Sequence, residues 1–189
     1  MIKKLWILLG LYSLTTMVWS QSRPASELLE EIKKLKVVGS VLYVAAHPDD
    51  ENTRLISYLS NELKLSTSYV SLTRGDGGQN LIGPQLDELL GVIRTNELIQ
   101  ARKIDGGEQY FTRANDFGYS KTAEETFSIW SRDSVLQDLV RLIRTIKPDV
   151  IINRFDHRTS GKTHGHHTAS AILALEAFDQ ARNSLYQRE

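Results

Sequence analysis

Apolar residues fall into two kinds of run along this chain. From Val37 to Ala46 the side chains are almost continuously β-branched or apolar. A run without alternation predicts a strand buried on both faces, central in its sheet. Thr67–Thr73 (TSYVSLT) and Asp149–Asn153 (DVIIN) predict two more short buried strands. Elsewhere apolar positions recur at helical spacing: Leu55, Ile56, Leu59 and Leu63 within 51–63, and a series from Leu86 to Ile104 stopped by Gly106-Gly107. The clearest stripe is Val135, Leu139, Leu142, Ile143 and Ile146 within 131–147, ended by Pro148. Residues 168–185 also suit a helix, and 23–36 is a charged, helix-compatible lead-in. Strands alternating with helices imply parallel pairing through right-handed crossovers. The predicted fold is therefore α/β: a Rossmann-like doubly wound, mostly parallel sheet with helices on both faces. In such sheets ligands bind beyond the carboxyl ends of the strands.

The first twenty residues do not belong to that pattern. Met1-Ile2-Lys3-Lys4 is a short basic start, Trp6 to Trp19 is nearly all apolar or small, and Ser20-Gln21-Ser22 is a small-residue exit. This is the pattern of a secretory signal peptide over residues 1–20, with an apolar core too short for a comfortable membrane span. The expected mature domain is 21–189, exported to the periplasm or the cell exterior, with no stable membrane insertion after cleavage. Lys+Arg and Asp+Glu both total 23, so no basic field points to nucleic acid. The chain has no cysteine, which excludes thiol catalysis, thiolate metal ligands and a disulfide framework.

Candidate chemistry gathers at two strand ends. His47-Pro48-Asp49-Asp50-Glu51 follows the first strand, putting three carboxylates in a row where they repel one another and resist burial. Four of the five histidines lie between His157 and His167, after the Asp149–Asn153 strand. Zinc favours imidazole and carboxylate ligands, and a catalytic zinc keeps three protein ligands and an open position. His47 and Asp50, three apart on a tight turn that Pro48 helps to hold, can face one way. A third ligand from 164–167 would complete a His-Asp-His set. The competing reading of the acidic triplet is a helix cap favoured by the positive N-terminal end. The competing reading of the histidines, His157 included, is an exposed polar loop. Gly75 to Gly78 lacks the spacing of a phosphate-binding loop and reads as a turn beside the pocket. Tyr110, Phe111, Phe117 and Tyr119 suit either a sugar-binding face or ordinary packing.

Ala46-His47-Pro48-Asp49-Asp50-Glu51 resembles the AHPDDE motif of the PIG-L/LmbE-like zinc-dependent N-deacetylases, the N-acetylglucosaminyl-type deacetylases. Leu72 to Gly78 (LTRGDGG) is similar to that family's LTxGxxG turn, and Arg94-Thr95-Asn96-Glu97 to its helical R-x-x-E. Lys147 to Ile151 (KPDVI) then precedes an H-x-x-H, His164 to His167. The resemblance implies that His47, Asp50 and His167 bind Zn2+, for which another divalent transition metal would serve. Asp49 would be the general base, and His164 would stabilise the oxyanion or protonate the leaving amine. Arg94 matches a family arginine near the substrate, and Asp116 is a candidate pocket acid. The commoner family form of the last motif is HPDH, whereas this chain has His164-Gly165-His166-His167. Register with the family favours His167 over His166 as the third ligand.

The implied activity is hydrolysis of an N-acetyl amide on an N-acetylglucosamine-type sugar or glycoconjugate, releasing acetate and a free amine. The substrate would be a small molecule or glycan. The alternatives are a zinc amidase acting on a larger amide conjugate, and a metal- or carbohydrate-binding module without turnover. Asp49, which no ligand role requires, speaks against the second. The family's domain usually continues past the H-x-x-H helix, so the resemblance also implies a domain truncated at its C-terminal end.

Overall fold

The structure, a computed structural model, describes residues 23–186. The expected signal peptide, residues 1–20, lies outside the described residues. The chain divides into two units at Lys36. In the first, helix α1 spans Ala25–Lys34, with Arg23 reaching forward to both oxygens of Glu31 at 2.9 and 2.6 Å.

In the second unit four strands form an all-parallel sheet in the order β3-β2-β1-β4. They are β1, Ser40–Ala45; β2, Ser66–Ser71; β3, Glu108–Phe111; and β4, Val150–Asn153. β1 lies inside, with Val44 opposite Val70 on one side and Asn153 on the other. Its continuous apolar run follows from that position, because both faces are covered. Leu42 and Val44 point into one core with Val70 and Leu72. There they meet Val135, Leu139 and Ile143 of α5 (Arg132–Ile146) and Ala169, Leu173 and Ala177 of α6 (Gly165–Ala181). Tyr43 and Ala45 point the other way with Tyr69, against Ile56 of α2 (Thr53–Ser57) and Leu98 of α3 (Asp87–Asp105). The α/β doubly wound architecture is thus as expected from the sequence, with every observed strand pair parallel.

Sheet order places a topological switch between β1 and β4. From β1 the chain winds outward through β2 to β3, then crosses back to lay β4 on the other side. A crevice opens where crossovers leave a sheet in opposite directions, so the switch predicts where a ligand sits.

Several elements differ from the sequence expectation. β3 and α4 (Ala123–Ile129) were not foreseen. β3 is an edge strand of mixed polarity, so it lacks a buried apolar run. α4 is short, but its start carries a legible signal: the Thr122 side chain accepts from Glu125 N–H, and the Glu125 carboxylate accepts from Lys121 N–H. Glu51 stays extended instead of opening α2, which starts at Thr53 under an Asn52 cap and continues as a π turn, Tyr58–Glu62. α6 begins at Gly165, three residues earlier than its apolar spacing suggests, which brings His166 and His167 into its first turn. Among the described residues no helix is long and apolar enough to cross a membrane.

Candidate metal and catalytic site

The chain leaves β1 through Ala46 and His47, the latter in extended backbone (φ −124°, ψ 164°). Pro48 opens a single 3-10 turn, Pro48–Asp50, where a missing N–H does no harm. The turn folds back on itself. Asp50 Oδ2 accepts from His47 N–H at 2.7 Å and lies 3.1 Å from His47 Nδ1. The Tyr69 hydroxyl, from β2, donates to the His47 carbonyl at 2.6 Å.

The segment after β4 supplies the other half. His164 caps α6: its Nδ1 accepts the His166 N–H at 3.1 Å, which leaves the ring proton on Nε2, facing the Gly118 carbonyl at 3.1 Å. His167 Nε2 lies 3.5 Å from Asp50 Oδ1, and its ring stacks on Phe155 with centroids 3.8 Å apart. His166 is fully buried against Phe117 and Trp130, its Nδ1 2.8 Å from His47 Nε2. Gly165 makes this approach feasible. A Cβ there would fall 2.2 Å from the Thr122 carbonyl oxygen, while its own N–H donates to the Ser120 carbonyl at 2.8 Å.

Two overlapping donor sets result, each with ligand atoms within 4.8 Å of one another: His47, Asp50 and His167, and His47, His164 and His166. Donor chemistry favours the first. Both ring nitrogens of His164 already have partners in α6 capping and at Gly118, and the second set carries no anion to offset a dication. In the first, Asp50 turns one oxygen to each imidazole. Protonation states also fit. Burial, reinforced by the nearby His47 and His164, holds His167 down at about 4, so its lone pair is free at neutral pH. Burial opposes charge on His47 and Asp50 too, but their mutual hydrogen bond and attraction prevail, raising His47 and lowering Asp50. A divalent ion binding there would replace the shared proton, because ligands must be deprotonated. The residues present fit zinc.

A cavity of about 460 Å³ opens over these groups, lined among others by Asp49, Arg94, Asp116, Tyr119 and His164. The Asp49 side chain borders this space and is 70 % exposed to solvent, with Arg94 Nη2 3.5 Å from its Oδ2. Arg94 reaches it past Gly75 (φ +71°), where a Cβ would come within 2.9 Å of the Arg94 side chain and 3.1 Å of Pro48. Gly75, Gly77 and Gly78 all line the cavity, so the glycine turn does sit beside the pocket. Asp116 is buried in the wall, where its Oδ1 accepts from Gly118 N–H at 2.9 Å. The seven residues to which the family resemblance gives a role, His47, Asp49, Asp50, Arg94, Asp116, His164 and His167, all border this one cavity, as does Tyr119, whereas Tyr110, Phe111 and Phe117 do not. His157 does not line it and sits in the loop beside Asp156. A neighbouring cavity of about 430 Å³, by Arg74, Thr95 and Arg113, holds no histidine. Sequence reasoning overlooked the support behind the site from Tyr69 and Gly118. His166, weighed in the sequence only as an alternative to His167 as third ligand, is instead a buried neighbour of His47.

Comparison with known proteins agrees with this architecture. Among solved structures the chain is similar to GalB, the 4-carboxy-2-hydroxymuconate hydratase from Pseudomonas putida KT2440, at 21 % identity and a TM-score of 0.60, covering 79 % of this chain and 59 % of that one. It is also similar to the N,N'-diacetylchitobiose deacetylase from Pyrococcus horikoshii, at 20 % identity and a TM-score of 0.61, covering 89 % and 63 %. A third is a deacetylase triple mutant from the teicoplanin biosynthetic pathway, at 16 % identity and a TM-score of 0.51, covering 75 % and 60 %. At such identities the likeness is one of fold, and the chain spans about three fifths of each of these structures. No curated protein matches it. Residues 42–178, which run from β1 to α6 and include every residue of the site, match the PIG-L family, described as GlcNAc-PI de-N-acetylase, and the chain belongs to that family.

Proposed function

We propose that this chain is a zinc-dependent N-deacetylase that hydrolyses the acetyl amide of an N-acetylglucosamine-type sugar or glycoconjugate. The observation that carries the reading is the convergence of His47, Asp50 and His167 at the β1/β4 switch, with the Asp49 carboxylate outside that donor set and 3.5 Å from Arg94 Nη2. Membership of the PIG-L family supports deacetylation. The fold alone would not, because a hydratase shares it. Export is part of the proposal and rests on the N-terminal sequence pattern.

Amide hydrolysis needs a nucleophile at neutral pH, a polarised carbonyl and a proton for the leaving nitrogen. Zinc held by His47, Asp50 and His167 would supply the first two, by acidifying water and acting as a Lewis acid. Asp49 takes the proton of the attacking water and returns it to the departing amine. Such positioned acid–base groups typically contribute 10²–10⁴-fold. His164 faces the same cavity. Burial lowers its pKa, so the neutral ring with Nε2–H is the resting form. Its part is to turn that N–H from the Gly118 carbonyl to the developing oxyanion, where one such donor is worth about 10²–10³ in kcat. Arg94, reaching in from α3, is suited to grip substrate hydroxyls.

The test is release of acetate and free amine from N-acetylglucosamine derivatives, with and without a chelator. Asp49→Asn should abolish turnover while zinc still binds. Turnover that survives the chelator removes the metal from the mechanism, and an active Asp49→Asn removes the base.

A further inference from the structure

The turn that carries the candidate ligands is short, and its own bonds are local. Pro48–Asp50 spans three residues, tied by Asp50 N–H to the His47 carbonyl at 3.2 Å and by His47 N–H to Asp50 Oδ2 at 2.7 Å, neither of which anchors it to the sheet. It bears adjacent carboxylates that repel, so something outside it must set its position. Behind it lies a buried charge cluster that the proposed chemistry does not use. Arg102 of α3, with a side chain 4 % exposed, lies 2.5 Å from Glu51 Oε2 and 2.6 Å from Asp105 Oδ2 through the same Nη2. Its Nε donates to Asp105 Oδ1 at 3.1 Å and its Nη1 to Gln109 at 3.2 Å. The guanidinium also sits over the ring of Tyr69, 5.4 Å from its centroid, and Tyr69 is the residue whose hydroxyl holds the His47 carbonyl.

We infer that Glu51 and Arg102 are positioning residues for the ion site, forming a buried brace that fixes the His47–Asp50 turn against the sheet. Glu51 is the residue after the ligand Asp50. Its extended backbone, which costs α2 its first turn, is the conformation that carries its carboxylate back to Arg102. One cation thus holds both ends of the turn, the Glu51 end directly and the His47 end through Tyr69. An arginine suits this because its planar fork reaches several acceptors at once. Neither residue touches the cavity, so both act through the ligands. The inference rests on the metal reading above.

Zinc affinity of the full chain, measured by competition with a chromophoric chelator, is the primary readout, beside the thermal midpoint, kcat and KM. Glu51→Gln keeps shape and loses charge. Zinc binding should weaken 10- to 100-fold, the usual effect of losing groups that orient ligands, with kcat reduced and KM retained. Arg102→Lys keeps charge and loses the fork, and should weaken binding by a smaller factor. Leu139→Ala, in the core under α5, is the control for simple destabilisation: it should lower the midpoint while zinc affinity at 20 °C stays within threefold. Zinc affinity within threefold of wild type in Glu51→Gln overturns the brace, as does affinity that merely tracks the midpoint across all three variants. A wild-type chain that binds no zinc overturns the metal reading itself, whereas wild-type binding with an indifferent Glu51→Gln overturns the brace alone.

Discussion

Gly165→Ala isolates geometry from chemistry, because Gly165 contributes no side chain to the site. The added Cβ would sit 2.2 Å from the Thr122 carbonyl oxygen and 2.5 Å from Ser120 Oγ. Carbon and oxygen in contact need roughly 3.4 Å, so the start of α6 must withdraw by about 1 Å. Backbone stands in the way on one side, and the Gly165 N–H bond to Ser120 ties the helix to the same segment. Withdrawal separates His167 from Asp50, now 3.5 Å apart, and His166 from His47, now 2.8 Å apart. Functional groups must be held within about 0.5 Å of productive geometry, and a 1 Å misplacement can reduce rate by about 10². The overpacking itself costs about 1–3 kcal/mol, which leaves most of the fold intact. Zinc titration, turnover of an N-acetylated sugar and a thermal melt together decide the matter. Expected are zinc affinity down at least tenfold, kcat down about a hundredfold and a native-like melt a few degrees lower. A folded variant with wild-type zinc affinity would refute the claim that Gly165 sets the ligand distance. Gly161→Ala is the matching control: it strains a φ of +76° but meets open space, so zinc affinity should not change.

Three further outcomes follow from the same geometry. In the zinc-free protein His166 and His167 are held at about 3 and about 4, below their ordinary 6.5, chiefly by burial. A base whose folded pKa is lowered gives stability that is present above 6.5 and lost as pH falls towards the folded value, so urea unfolding between pH 6.5 and 4 should show stability dropping by up to about 2.7 kcal/mol per pH unit as two protons are taken up. A flat profile would mean that these rings are not buried as neutral groups. Leu139→Ala, fully buried under the sheet, should cost about 3 kcal/mol and lower the thermal midpoint by roughly 6–12 °C, measured by calorimetry. Arg94→Ala should raise KM for an N-acetylated sugar with kcat little changed; a fall in kcat at constant KM would tie Arg94 to Asp49 instead.

The sequence alone determined the layers and the rim. Val41–Ala46 is apolar on both faces because β1 is covered on both, and the switch from period-free runs to helical spacing was enough to imply parallel pairing. The candidate site residues could be singled out in the sequence too, since a histidine, two aspartates and a histidine cluster after two strand ends have few other joint uses. Tertiary structure decided what depends on approach between distant segments. That Gly165 must be bare against Thr122, that His166 is a buried neighbour of His47, and that Glu51 leaves its helix to meet Arg102 are consequences of three-dimensional contact. Periodicity records only which face of an element is buried. It carries no information about which side chain from another element waits there, so candidate ligands could be proposed along the chain but their neighbours could not.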